Sequence, residues 1–170
     1  MIFGMSLATY TFLHVLVSLV GIGSGFVVMF GLFARKRLDG WTALFLVTTA
    51  LTSVTGFGFP FDHLLPSHKV GIISLAILAV AIPARYVYHL AGSWRWIYVV
   101  GAAMALYLNV FVAVVQAFLK VPALKAWAPT QKEPPFLVAQ LAVLLIFVGL
   151  TIVATKRFHI DPERKQAHAA

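Results

Sequence analysis

Residues 94–119, WRWIYVVGAAMALYLNVFVAVVQAFL, carry a single charge, Arg95, and Lys120 closes them. At about 1.5 Å per residue, a helix of this length exceeds the ~30 Å hydrocarbon core of a bilayer. Within hydrocarbon the backbone must satisfy its own polar groups, so such a stretch reads as a transmembrane helix. Its interior is not uniformly apolar. Ala102, Ala105, Asn109, Ala113, Gln116 and Lys120 recur at three- and four-residue steps and share one face. Small residues and amides on one face call for neighbouring helices, because lipid offers an amide no hydrogen bond. This helix is expected to be the hub of a bundle.

The rest of the chain agrees with that reading. Among its 170 residues 61% are hydrophobic and 11% charged, with a mean hydropathy of +0.94. These values exclude a soluble globular domain and point to an all-α integral membrane bundle. The absence of cysteine excludes disulfides, thiolate metal sites and a cysteine nucleophile. The net charge of +8 comes from bases at the ends of apolar runs, which suits loops and lipid headgroups; no nucleic-acid partner is expected. Asp39, Asp62, Glu133, Asp161 and Glu163 are the only acids, and none lies inside an apolar run. That argues against a carboxylate proton relay or paired-carboxylate site within the membrane.

Five spans are predicted, at about 7–34, 41–59, 68–90, 94–119 and 136–155, forming one bundle over 1–158 with a polar cytoplasmic tail at 159–170. The first run has no basic n-region and is too long for a signal peptide, so it is expected to be retained. Gly21 and Gly25 form a GxxxG pair suited to close helix contact, a better reading of GIGSG than a nucleotide loop. Arg35, Lys36 and Arg37 end that run, and Asp39-Gly40 is expected to turn the chain. The second run is dotted with hydroxyls (Thr48, Thr49, Thr52, Ser53, Thr55) that can bond back to their own backbone, and GFGFP closes it. Ser67 is the expected N-cap of the third run, which Pro83 is expected to kink. PALKAWAPTQKE is expected to include an amphipathic turn anchored by Trp127.

Five spans put the termini on opposite sides. One side holds Arg35, Lys36, Arg37, Arg85, Arg95, Lys156, Arg157, Arg164 and Lys165; the other holds Lys69, Lys120, Lys125 and Lys132. The excess assigns the first side to the cytoplasm, giving an N-out/C-in orientation.

On this arrangement the polar side chains gather in the outer leaflet: His14 in the first span, the hydroxyls of the second, Gln116 and Gln140, with His63 and His68 at the first outer loop and Asn109 near the midplane. Three readings compete. The residues can be interhelical glue alone. They can hold haem or a metal through His14 with His63 or His68, with Asp62 as a ligand or orienting group. They can line a pocket for a quinone or lipid, with His14, Asn109, Gln116 and Gln140 as polar contacts. At the inner side Arg85, Arg95, Trp94 and Trp96, with neighbouring tyrosines, form a basic-aromatic band suited to anchoring or to an anionic headgroup; Arg85 is expected to snorkel.

The stretches TSVTGFGFPFDH, GSWRWIYVVGA, ALYLNVFV and APTQKEPPF resemble a group of small multi-span bacterial inner-membrane proteins, over about residues 14–158. The resemblance implies a bacterial inner membrane and no particular chemistry. The first functional expectation is a non-enzymatic protein surrounded by lipid, either a subunit of another membrane protein or a self-associating bundle. The second is a redox protein holding haem or quinone near His14, and the third a transporter or lipid-binding protein. No catalytic residue is assigned.

Overall fold

A computed structural model of the chain describes residues 4–60 and 66–158. These residues form six helices: α1 (Leu7–Phe33), α2 (Asp39–Gly56), α3 (Pro66–Tyr86), α4 (Trp94–Lys120), the short α5 (Pro122–Trp127) and α6 (Pro134–Arg157). Four of them are long and apolar enough to cross a membrane: α1, α3 from Ser67 onward, α4 and α6. α2 is not among these four.

Local chemistry explains several helix ends. Ser6 caps α1 by accepting from the Thr9 amide at 3.1 Å, and Arg35 leaves the helix with φ +58°. Asp39 and Gly40 do not form the expected turn; they open α2, where a carboxylate suits the partial positive charge of a helix N-terminus. α3 accommodates Pro83 and ends at Tyr86, short of the expected 90. The Val87 and Tyr88 amides both turn to the Pro83 carbonyl, and His89 and Leu90 adopt φ +48° and +62°. Two prolines at the first helical positions start α6.

α1, α2, α3 and α4 form a ring in which α1 and α3 each pack against both α2 and α4. α6 lies against α4 and α1, and α5 against α4. α4 thus touches every other helix, the hub role its small-residue face predicts. Gly25 shows why small residues matter at the crossings: a Cβ there would stand 2.6 Å from Leu106 Cδ1 and 2.8 Å from Phe45 Cε2.

The two halves of the ring differ. In the far half, where α1 ends, Met29, Leu32, Phe45, Leu78, Tyr98 and Leu106 pack into one apolar core. In the entry half, where α1 begins, the facing positions carry Ser18, Ser53, Gly71, Ser74, Ala113 and Ala117, and the helices enclose space instead.

Candidate ligand-binding site

That space is a cavity of about 550 Å³ between α1, α2, α3 and α4. Its walls are mainly apolar, from residues such as Leu19, Ile22, Val70, Leu108 and Val112, with a few polar groups set among them. This is the usual make-up of a small-molecule site. Of the predicted contacts, His14, His68, Asn109 and Gln116 line it, and Thr52 and Lys120 join them.

His14 is held from two sides. Its Nδ1 lies 2.8 Å from Thr55 Oγ1 on α2, and its ring meets Phe59 edge-on with centroids 5.1 Å apart. Phe59 is in turn braced by Tyr10, whose hydroxyl donates to the Thr55 carbonyl at 2.7 Å. Gly58 permits this arrangement, since a Cβ there would collide with the Tyr10 hydroxyl. The GFGFP segment that ends α2 therefore positions the imidazole.

Asn109 sits at the end of the cavity nearer the apolar core. Its Nδ2 donates to Thr49 Oγ1 at 3.0 Å, tying α4 to α2. Gly21 on α1 makes room for this junction: a Cβ there would lie 3.2 Å from Thr48 Oγ1 and 3.7 Å from Asn109 Nδ2. Most α2 hydroxyls are engaged. Thr48 donates to the Leu44 carbonyl, Ser53 to that of Thr49, and Ser53 Oγ lies 3.0 Å from Ser74 Oγ on α3. The Thr52 hydroxyl, a cavity residue, is buried with no hydrogen-bond partner among the described residues. Sequence reasoning placed Thr52 in the polar group without distinguishing it; the distinction lies in its unpartnered oxygen.

The other predicted residues are distributed differently. His68 lines the cavity and stacks on Phe57, with centroids 5.3 Å apart and planes at 19°. Gln116 is exposed and makes no hydrogen bond among the described residues, whereas Gln140 is buried away from the cavity and donates to the Phe111 carbonyl at 3.2 Å. α6 turns Gln140 against the α4 backbone, so it belongs to a helix–helix contact. His63 and Asp62 lie outside the described residues, as does the 159–170 tail. Among the described residues no three His, Asp or Glu side chains are grouped to hold a metal ion.

At the far end, Arg85 is turned inward and does not snorkel. It is 2% exposed, pairs with Asp39, and lies over the rings of Tyr98 at 5.2 Å and Tyr86 at 5.8 Å. Asp39 is the physical reason, because α2 delivers a carboxylate where α3 ends. Arg95 donates to the Phe158 carbonyl at 2.7 Å, Trp94 stacks on Tyr88 at 3.8 Å, and Trp96 is exposed. Comparison with protein-family models, with curated proteins and with solved structures gives no match.

Proposed function

We propose that this chain is a five-span protein of a bacterial inner membrane, N-out/C-in, that holds a small amphiphilic molecule of quinone-like size in its outer half. The cavity carries this reading: about 550 Å³ inside a helical ring, bordered by His14, Thr52 and Asn109 as well as by apolar walls. Glue alone would favour helices closed on their polar groups, since unfilled space forfeits packing contacts. The exposed apolar face of α6, including Leu137, Leu141 and Leu145, is what any lipid-facing helix presents, so it does not favour a partner subunit.

Support for the fifth span comes from α2 itself. Its 18 residues extend about 27 Å, close to the hydrocarbon thickness. Thr48, Ser53 and Thr55 all donate to carbonyls of their own helix, which lowers the cost of placing them in a membrane.

Haem is the second reading, favoured by one observation. α1 and α3 both flank α2 and α4, and each contributes a histidine, His14 and His68, to the cavity lining.

The test is purification in lipid nanodiscs, followed by absorption spectroscopy and solvent extraction with mass spectrometry. A retained amphiphile is expected, and it should be lost from an Ala113→Phe variant that fills the cavity but keeps its helix content. The reading fails if no component is retained and added decyl-benzoquinone, decyl-hydroquinone and haem all leave the melting temperature unchanged.

A further inference from the structure

The hydrogen-bonding pattern around His14 narrows the class of ligand. The Thr55 hydroxyl has one proton, and its Oγ1 lies 2.6 Å from the Leu51 carbonyl oxygen. Two oxygens that close require the proton between them. Thr55 Oγ1 must then act as acceptor toward His14 Nδ1 at 2.8 Å, so Nδ1 carries the hydrogen. In the uncharged imidazole the other nitrogen, Nε2, is a bare acceptor, and it has no partner among the described residues. Phe59 and Thr55 fix the ring, so the direction of this lone pair is set before any ligand arrives.

Asn109 adds to the same preference. Its Nδ2 is committed to Thr49 Oγ1, while Oδ1, an acceptor, makes no hydrogen bond among the described residues. The Thr52 hydroxyl can donate or accept and has no partner. Around His14 and Asn109 the cavity thus offers two acceptors, with the buried Thr52 hydroxyl beside them, while Gln116 and Lys120 add donors elsewhere on its lining.

Building on the ligand-binding reading above, we infer that the cavity selects a lipophilic phenol or hydroquinone whose hydroxyl donates to His14 Nε2. A quinone has carbonyl acceptors only, so an oxygen placed at His14 or Asn109 would face a lone pair, and only Gln116 or Lys120 could donate to it. Reduction to the hydroquinone supplies the missing donors. The apolar walls formed by Leu19, Ile22 and Val112 suit the ring and the start of an alkyl tail. A porphyrin could place its iron on Nε2, but its apolar macrocycle would leave Thr52 and Asn109 without partners.

The experiment compares three probes that share a ring and a decyl tail on the native protein in nanodiscs: 2-decylhydroquinone under anaerobic reducing conditions, its dimethyl ether, and decyl-1,4-benzoquinone. Affinity is read by intrinsic fluorescence quenching and by thermal shift. The hydroquinone should bind at least tenfold more tightly than the ether or the quinone. His14→Leu should abolish that preference, and Thr52→Val should reduce it, with helix content checked by circular dichroism. The ligand series on native protein stands even if His14→Leu fails to fold. Equal affinity for hydroquinone and ether overturns the inference and leaves the cavity reading intact. Failure of all three probes, with no retained component, overturns both. A Soret band in the purified protein that His14→Leu removes replaces the hydroxyl with iron and overturns the inference.

Discussion

Arg85 at the end of α3 and Asp39 at the start of α2 form an ion pair whose members are unequally buried, the guanidinium 2% and the carboxylate side chain 71% exposed. The geometry couples the loops at the far end of the bundle. Asp39 favours the α2 N-terminus, Arg85 favours the α3 C-terminus, and each helix presents its charge to the other. Because Asp39 is wet, the pair is expected to contribute less than the 3–5 kcal/mol seen when one partner of a fully buried pair is removed. Asp39→Asn should destabilise the protein by about 1–2 kcal/mol, between the surface and buried limits. Arg85→Ala should cost more, since it also removes packing on the Tyr98 and Tyr86 rings. Thermal unfolding in detergent checks both, and an Asp39→Asn variant as stable as the parent would refute the coupling.

Gly25 gives a sharper steric prediction. Its missing side chain lets Leu106 and Phe45 come within contact of the α1 backbone, whereas nothing lies within 4 Å of a Cβ at Gly23. Gly25→Val should lower stability by about 1–3 kcal/mol through overpacking. Gly23→Ala should be neutral or slightly stabilising, because alanine is the better helix former. A similar loss in both variants would mean that the α1–α4 crossing is not the one described.

Asn109→Leu should cost about 0.6–2 kcal/mol, the range for interhelical hydrogen bonds in membranes. The bond to Thr49 disappears, and a larger apolar side chain enters beside Gly21. Gln116→Leu should be nearly neutral for stability, since Gln116 bonds no neighbouring helix among the described residues. Differential scanning fluorimetry in one detergent separates the two; equal losses would overturn the distinction between an amide that joins helices and one that faces the cavity.

The contrast between these amides also shows what sequence can reveal. Apolar length marked α1, α3, α4 and α6 within a few residues, because a bilayer sets the scale. The spacing of Ala102, Ala105 and Asn109 marked the inward face of α4, since helix periodicity alone fixes which residues share a side. Periodicity does not fix how a helix is rotated relative to its neighbours. Gln140 and Gln116 were therefore indistinguishable before α6 was seen to turn Gln140 onto the Phe111 carbonyl. Arg85 was misplaced for a similar reason: its pairing depends on Asp39, 46 positions away. The proton arrangement at His14 needed the Leu51–Thr55–His14 distances, which no pattern of letters contains.

Thr55 offers an indirect test of His14. Thr55→Val keeps the side-chain shape but removes the oxygen that holds Nδ1–H, so the ring is no longer confined to one tautomer. Preference for hydroquinone over its dimethyl ether should fall by several-fold, corresponding to about 1 kcal/mol for one hydrogen bond. Helix content should be unchanged, because the hydroxyl otherwise bonds only to carbonyls of its own helix. Unchanged selectivity in a folded Thr55→Val protein would show that Thr55 does not control the imidazole.

The proposed orientation makes a final prediction about which side the cavity faces. Arg35, Lys36, Arg37, Arg95, Lys156 and Arg157 all lie at the far end of the bundle, whereas the entry end has Lys69, Lys120, Lys125 and Lys132. Basic residues near span ends are retained in the cytoplasm, so the far end is assigned inward and the cavity to the outer leaflet. A reporter active only in the periplasm should work when fused at Thr130, between α5 and α6. It should be silent when fused at Gly40 or after Ala170. Comparing the two fusions also tests α2: at Gly40 the reporter follows α1 alone, one crossing, while at Thr130 it follows four crossings if α2 is a span and three if it is not. Cysteine labelling gives an independent check in a chain that has no native cysteine. Ala126→Cys should react with a membrane-impermeant maleimide in intact cells, and Lys36→Cys only after permeabilisation. Labelling of Lys36→Cys alone would reverse the orientation, and labelling of both or of neither in intact cells would remove α2 as a span.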